Sequence, residues 1–187
     1  TVEEWKKCLN DIKYLYDKII KNSGNKIHIF PIAPIPLLVS FGYLMQNDSS
    51  NILIYQYVED NQEWVLDEKD DNIEPRLAFK ENNSKILALA VSVSGKVFES
   101  DINEVLKNGY DLLEVTIDSP MTSKLNYKAD VLRVKKAIRK KLSEIYSNYQ
   151  EIHLFLAAPA GLCIEISRII RENMYPDTYI YNFNRSN

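Results

Sequence analysis

The chain has 187 residues and a mass of 21.7 kDa, room for one domain with a sizeable core or for two small ones sharing an interface. Hydrophobic residues make up 45% and charged residues 26%, a globular balance that excludes a disordered chain. Lys plus Arg (23) against Asp plus Glu (26) leaves a net charge of −3, the wrong sign for a general DNA binder, whose affinity rests on neutralising phosphates.

The first segment reads as an amphipathic helix, with Trp5, Cys8, Leu9, Ile12, Leu15, Tyr16 and Ile19 at three-and-four spacing, and Gly24 after it as an expected left-handed cap. Lys26 to Ala33 is a short apolar run expected to be a buried parallel strand, with Pro31 at its end because proline cannot donate to a ladder. A helix over 36–46, with proline in its first turn, a turn at Asn47–Ser50 and a second strand over 52–58 complete a helix–strand alternation of the α/β type. Glu59 to Glu74 carries eight acidic side chains against Lys69 alone and reads as a solvated loop around a short strand at Trp64–Leu66. Lys85–Val93 is another buried strand ending in Ser92-Val-Ser-Gly95. After it come a short helix near 102–107, a strand near 112–117 and a long helix from Ala129 to Tyr149 with Val131, Val134, Ile138 and Leu142 inward.

The chain then repeats itself. Lys26-Ile-His-Ile-Phe-Pro-Ile-Ala-Pro34 aligns with Glu151-Ile-His-Leu-Phe-Leu-Ala-Ala-Pro159 at an offset of 125, with five of nine positions identical. Each copy follows an amphipathic helix, precedes another (36–46 and 161–173), and closes on a tyrosine-bearing strand, Ile54-Tyr-Gln-Tyr57 or Tyr179-Ile-Tyr181. A domain-sized period means duplication of an α/β half.

In open α/β sheets ligands sit beyond the carboxyl ends of the strands, where loops enter helices whose N–H groups and dipole suit phosphate. The equivalent loops are Ala33-Pro-Ile-Pro36 and Ala158-Pro-Ala-Gly161, so Pro34, Ile35 and Pro36, and Ala160, Gly161 and Leu162, are candidate ligand contacts. Neither loop is a glycine-rich dinucleotide fingerprint or a P-loop, which argues against a nicotinamide dehydrogenase or an ATPase. Cys8 and Cys163 are too far apart for a disulfide scaffold or a zinc site and suit a reducing compartment. The longest apolar stretch, Ile35 to Met45, is broken by Pro36, Ser40 and Gly42 and is shorter than the roughly 20 residues that a bilayer needs.

Four stretches carry a resemblance: Ile27-His-Ile-Phe-Pro-Ile-Ala-Pro34; Ile54-Tyr-Gln-Tyr57 with Trp64; Leu87-Ala-Leu-Ala-Val-Ser-Val-Ser94; and Ile152-His-Leu-Phe-Leu-Ala-Ala-Pro159 with the final Tyr179-Ile-Tyr181. In this order they resemble the SAVED domain of CBASS and type III CRISPR anti-phage systems. The resemblance implies an α/β fold of two CARF-like Rossmann-type halves in one domain over 1–187, the first half spanning roughly 1–120 and 121–187 completing the second. It implies a sensor without catalytic residues, metal or cofactor, whose ligand is a cyclic di-, tri- or tetranucleotide. Binding would drive head-to-tail self-association and switch on a fused or separate effector, with no direct DNA binding. The implied setting is the cytoplasm of a bacterium or archaeon, and Thr1 in place of Met is the expected mark of a piece of a longer protein, where an effector or a membrane anchor would lie. The alternatives are a ring-nuclease-like enzyme cleaving cyclic nucleotides and a Rossmann-like module for a mononucleotide or a protein.

Such a ligand needs aromatic faces for bases, small polar groups for ribose and cations for phosphates. The candidates are Tyr57, Trp64 and Phe183 for stacking, Ser92 and Ser94 at the end of a buried strand, and Asn182 and Arg185 after the last one. Against each stands a plain role in the core, in strand-end capping or in a frayed tail. The basic run Arg133, Lys135, Lys136, Arg139, Lys140, Lys141 reads as a solvated helix face, and His28 and His153 as buried, hydrogen-bonded structural histidines.

Overall fold

The computed structural model describes residues 1–21, 23–46, 52–66, 69–107 and 109–183. Helix α1 (Val2–Leu15) runs on into a π turn (Tyr16–Ile20) and leads to β1 (Ile27–Ile29), α2 (Ile35–Leu44) and β2 (Ile52–Ile54). Strands β3 (Gln56–Val58) and β4 (Glu63–Val65) form a hairpin, followed by β5 (Arg76–Lys80), β6 (Ile86–Ser92), α3 (Glu99–Leu106) and β7 (Asp111–Thr116). The chain finishes with α4 (Lys128–Ile145), β8 (Glu151–Ala157), α5 (Ala160–Ser167) and β9 (Asp177–Ile180).

The larger sheet has the order β5-β7-β6-β8-β9, parallel except for β5 at its edge. Its central strands β6 and β8 are mostly apolar and buried, since helices cover both faces, with His153 of β8 the buried polar exception. Leu87, Leu89 and Val91 of β6 share one core with Val131, Val134, Ile138 and Leu142 of α4 and Leu162, Ile164 and Ile166 of α5. The intervening Ala88 and Ala90 face Ile102 of α3 and Phe155 of β8, the small residues letting α3 lie close. Helix α5 is mostly apolar and buried from Gly161 to Ser167, as a helix enclosed on every side must be, and its one charged side chain, Glu165, is paired with Lys135 and Arg168. One side meets the sheet and α4, and α2 covers the other. At the crossing of α2 and α5 a Cβ on Gly42 would stand 2.0 Å from Ser167 Oγ and 2.4 Å from the Ile164 carbonyl, so only glycine allows this approach.

The smaller sheet pairs β1 with β2 in parallel, Ile27 opposite Ile52 and Ile29 opposite Ile54. The Tyr55 N–H continues the ladder to the Ile29 carbonyl at 3.0 Å. At Tyr55 the segment read as one strand over 52–58 changes partner, and β3 pairs with β4 instead, Tyr57 opposite Trp64.

Several expectations need correction. The strand read as Lys26–Ala33 is only three residues long and half-buried, because it has a paired strand on one side alone. His28 is consequently exposed. Gly24 lacks the left-handed φ expected of a cap. Helix α5 stops at Ser167 and Asn173 turns the chain with φ 64°. Leu9 and Leu15 of α1 remain exposed although they lie on its apolar stripe. Strand β5 has no counterpart in the sequence reading, since its five residues are mostly exposed and carry too little apolar pattern. The five-stranded sheet takes β5, β6 and β7 from before residue 120 and β8 and β9 from after it. The turn read at Asn47–Ser50 lies outside the described residues.

The basic run on α4 is divided: Lys136, Arg139 and Lys140 lie on a solvated face as read, while Arg133, Lys135 and Lys141 are half-buried and paired. Arg133 pairs with Asp70, Glu74 and Asp130, and buried Asp130 also accepts the N–H groups of Asp71 and Ile73 (3.0 and 2.9 Å). Lys135 pairs with Glu165 of α5, and Lys141 lies over the Phe79 ring. Part of the acidic segment is thereby pinned to α4.

Candidate functional site at the carboxyl edge of the sheet

Strands β6 and β8 are neighbours whose chains leave in opposite directions, β6 through α3 towards β7 and β8 through α5 towards β9. Their carboxyl ends flank the crevice where an open α/β sheet accepts a ligand. The Ala157 carbonyl accepts from the N–H groups of both Val93 and Ser94 (2.9 and 2.8 Å), drawing the β6 loop across the end of β8. Ser92 Oγ accepts from the Val97 N–H at 3.0 Å, and Thr116 Oγ1 donates to the Ser92 carbonyl at 3.1 Å. Ser92 thus shapes the loop. Ser94 Oγ differs: it is buried and has no hydrogen-bond partner among the described residues, and a buried hydroxyl left unpaired costs about 1–3 kcal/mol.

Beside it begins α5. Its N-cap is Pro159, which provides no side-chain cap, and Cys163 is the first residue to bond back, its N–H to the Pro159 carbonyl at 3.0 Å. The N–H groups of Ala160, Gly161 and Leu162 are therefore available, as at any uncapped helix start. The repeated loop behaves differently. In α2 the N–H groups of Leu37 and Leu38 both return to the Pro34 carbonyl (3.0 and 3.2 Å) and Pro36 has none, so Ile35 alone keeps a donor. Chemically, α5 is the end that suits an anion, while Pro34, Ile35 and Pro36 form a wall.

Gly161 is where the two repeats meet: a Cβ there would stand 1.9 Å from Nε2 of Gln56, which is itself buried on β3. Tyr57 and Trp64 belong to the same hairpin but to its other side, since Gln56 and Val58 are buried while Tyr57 is 48% exposed. Their rings lie 5.2 Å apart, and Trp64 meets Phe30 edge-on at 5.5 Å. Asn182 and Phe183 follow β9 and line a cavity of about 320 Å³ with Tyr181, Phe155, Val97 and Lys96. Ser92 lines a second, of about 350 Å³, with Thr116, Glu114 and again Lys96. The structure thus ties Ser94 through its backbone to Ala157, three residues before α5 begins, and brings Phe183 and Asn182 together with Lys96. Exposed Tyr57 and half-buried Trp64 form a separate group, and Arg185 lies outside the described residues.

The repeat reaches into the side chains. His28 Nδ1 is 2.9 Å from the Tyr55 hydroxyl, and Phe30 stacks on Tyr55 at 4.5 Å. In the second copy His153 Nδ1 is 2.6 Å from the Tyr181 hydroxyl, and Phe155 stacks on Tyr181 at 4.9 Å. There His153 Nε2 also faces Glu151 at 3.0 Å. A carboxylate only accepts, so Nε2 carries a proton and donates to Glu151, and Nδ1 is the atom that pairs with the Tyr181 hydroxyl. Burial pushes the Tyr181 phenol above its ordinary pKa, and the Cys163 thiol, deep in α5, is pushed up to about 12 by the same cause. Among the described residues no group of His, Cys, Asp or Glu side chains is placed to hold a metal ion.

Comparison with protein families matches residues 10–187 to the SMODS-associated and fused to various effectors sensor domain. The chain belongs to the SAVED family. By that description the matched region is a sensor, and the effectors are what it is fused to. Three solved structures of the Acinetobacter baumannii Cap4 SAVED/CARF-domain receptor share the α/β fold, each at 17% identity over 95% of this chain. Two are complexes with the cyclic trinucleotides 3'3'3'-cAAA and 2'3'3'-cAAA (TM-score 0.55 for both), and the third is the receptor described without a ligand (TM-score 0.53). This SAVED chain spans 40%, 39% and 37% of those chains, respectively. No curated protein matches it. No described helix is long and apolar enough to cross a membrane.

Sequence reasoning missed Gln56, Lys96 and the tyrosines bonded to the histidines. The repeat held the signal for two of these: Gln56 and Asn182 are amides offset by 126, as are Tyr55 and Tyr181. Lys96 is the first cation after the serine loop.

Proposed function

We propose that this SAVED domain, residues 1–187 acting as one unit, binds a cyclic oligonucleotide of two to four nucleotides across the carboxyl edge of β6, β8 and β9. The observation that carries this reading is the unpartnered buried Ser94 hydroxyl beside the uncapped start of α5. A polar ligand gives Ser94 its partner, and a phosphate takes the N–H groups of Ala160, Gly161 and Leu162. Lys96 supplies the nearby positive charge, Phe183 offers a face for a base, and Asn182 an amide for its edge. The Cap4 complexes with cyclic trinucleotides support the ligand class.

In this reading binding itself is the output, and among the described residues no nucleophile, base and orienter are brought together at the crevice. A ligand filling the crevice shifts the population towards a self-associated state, and a head-to-tail contact of that kind grows into open filaments. The associated state switches on a fused or separate effector in a bacterial or archaeal cytoplasm. Calorimetric titration with cyclic di-, tri- and tetranucleotides tests the reading. One ring is expected to bind, and Ser94→Ala and Lys96→Ala are each expected to weaken it about tenfold, or about 1.4 kcal/mol. Failure of every ring to bind would overturn the proposal, as would unchanged affinity in both variants.

A further inference from the structure

The two repeats differ in how completely their strands are paired. In the second, β8 lies between β9 and β6, parallel to both. In the first, β1 has β2 on the side equivalent to β9 and nothing described on the other. The Ile29 carbonyl faces β2, since it accepts from Tyr55. Backbone groups alternate sides along a strand, so those of His28 and Phe30 face the open edge. Their counterparts, His153 and Phe155, sit opposite Ala88 and Ala90 of β6.

Along that edge runs an apolar cavity of about 360 Å³ lined by Ile12, Leu15, Ile20, Ile29, Ile32 and Phe41, among others. Ile32 is 84% and Phe30 49% exposed. An open, apolar strand edge of this kind is a template for another strand. The repeat specifies which one: Leu87, Leu89 and Val91 of β6 fill the equivalent space between β8 and helices α4 and α5.

We propose that the free edge of β1 is covered by an additional parallel strand of the same polypeptide, with large aliphatic residues towards α1 and α2 and small ones on the other face. The source is fixed by the matching of helices. α1 leads into β1 and packs on α2, as α4 leads into β8 and packs on α5. α4 is fed by β7, a strand of its own sheet, so α1 is fed by sheet strands ahead of it, the first of which crosses to lie beside β1 as β6 lies beside β8. The longer chains of the Cap4 receptors leave room for such a segment.

Hydrogen exchange on the 187-residue chain and on the same chain carrying its natural upstream sequence tests this. The His28 and Phe30 amides are expected to exchange about 100-fold more slowly in the longer polypeptide. The amides of His153 and Phe155, paired in both, report that the fold is intact. Equal exchange of His28 and Phe30 in the two polypeptides would overturn the proposal. Protection in the 187-residue chain that rises with its concentration would also overturn it, in favour of a second copy on this edge. Neither result bears on ligand binding at the β6–β8 crevice.

Discussion

The two copies of the strand–helix–strand unit hold nearly the same side-chain arrangement in very different surroundings. His28, Tyr55 and Phe30 repeat as His153, Tyr181 and Phe155. Yet His28 is exposed on a two-stranded sheet, whereas His153 is 6% exposed in a five-stranded one. The difference shows that the hydrogen-bonded pair is a property of the local sequence, while its energetic weight is set by what the sheet places around it. Duplication preserved the pattern, and neighbouring strands decide which copy contributes to stability.

The largest test of that contrast is truncation of the two histidines. His153→Ala removes a buried ring stacked on Tyr179 and Tyr181 at 4.8 and 5.8 Å and is expected to cost about 3 kcal/mol. His28→Ala is expected to cost less than about 0.5 kcal/mol. Urea unfolding of both variants measures this, and equal losses would break the comparison. Next comes the seam between the repeats. Gly42→Ala drives a methyl against Ser167 and the Ile164 backbone, a displacement expected to cost about 2 kcal/mol. Gly161→Ala meets only the movable side chain of Gln56 and is expected to cost about 1 kcal/mol. Thermal unfolding ranks the pair, and a reversed order would show that α2 and α5 adjust more easily than the Gln56 side chain.

How much of this was legible in the sequence follows the same division. The buried strand β6 was readable because enclosure on both faces demands an unbroken apolar run, and β8 and the duplication were readable because Ile, His, Phe, Ala and Pro recur in one order. Strand β1 looked as apolar as β8, and its exposure was not legible, since a strand cannot report which neighbours pair with it. The helix starts at Pro34 and Pro159 were visible as loops. That only α5 keeps three donors depends on the position of Pro36 and on how Leu37 and Leu38 bond. Ser94 was found as a hydroxyl at a strand end, but its separation from Ser92, whose oxygen already takes the Val97 N–H, required coordinates. The Tyr57–Trp64 pair was legible as aromatic, and misleading as part of one cleft, because alternation along β3 turns Tyr57 away from Gln56.

A smaller effect concerns a clamp found only in the larger sheet. Asp111 at the start of β7 accepts the N–H groups of Asn82 and Ser84 (2.8 and 3.0 Å) and the Tyr149 hydroxyl (2.8 Å). Burial pushes its carboxyl up, but the bonds from Ser84, Asn82 and Tyr149 together outweigh burial and hold it below its ordinary value. A depressed carboxyl stabilises the fold above the unfolded-state pKa of about 3.9, and that contribution fades as the pH falls through the folded-state value. Asp111→Asn is therefore expected to lose about 1 kcal/mol at neutral pH and to flatten the acid limb of stability against pH. An unchanged limb would place the acid sensitivity elsewhere.

The finest test separates the paired tyrosines by a single oxygen. Tyr181→Phe keeps the stack on Phe155 and removes only the donor to His153 Nδ1, leaving a buried nitrogen unpaired at an expected cost of about 1 kcal/mol. Tyr55→Phe removes the same bond at an exposed site, where water replaces it, and is expected to cost about 0.3 kcal/mol. The double variant His153→Phe with Tyr181→Phe supplies the cycle that isolates the bond, because no polar atom is then stranded. If the hydrogen bond matters only because burial leaves an unpaired member without water, the double variant recovers stability relative to His153→Phe alone, since the Tyr181 hydroxyl no longer lacks a partner. Equal losses from Tyr181→Phe and Tyr55→Phe would mean that water reaches His153 as readily as His28, and the contrast between the two sheets would then rest on packing alone.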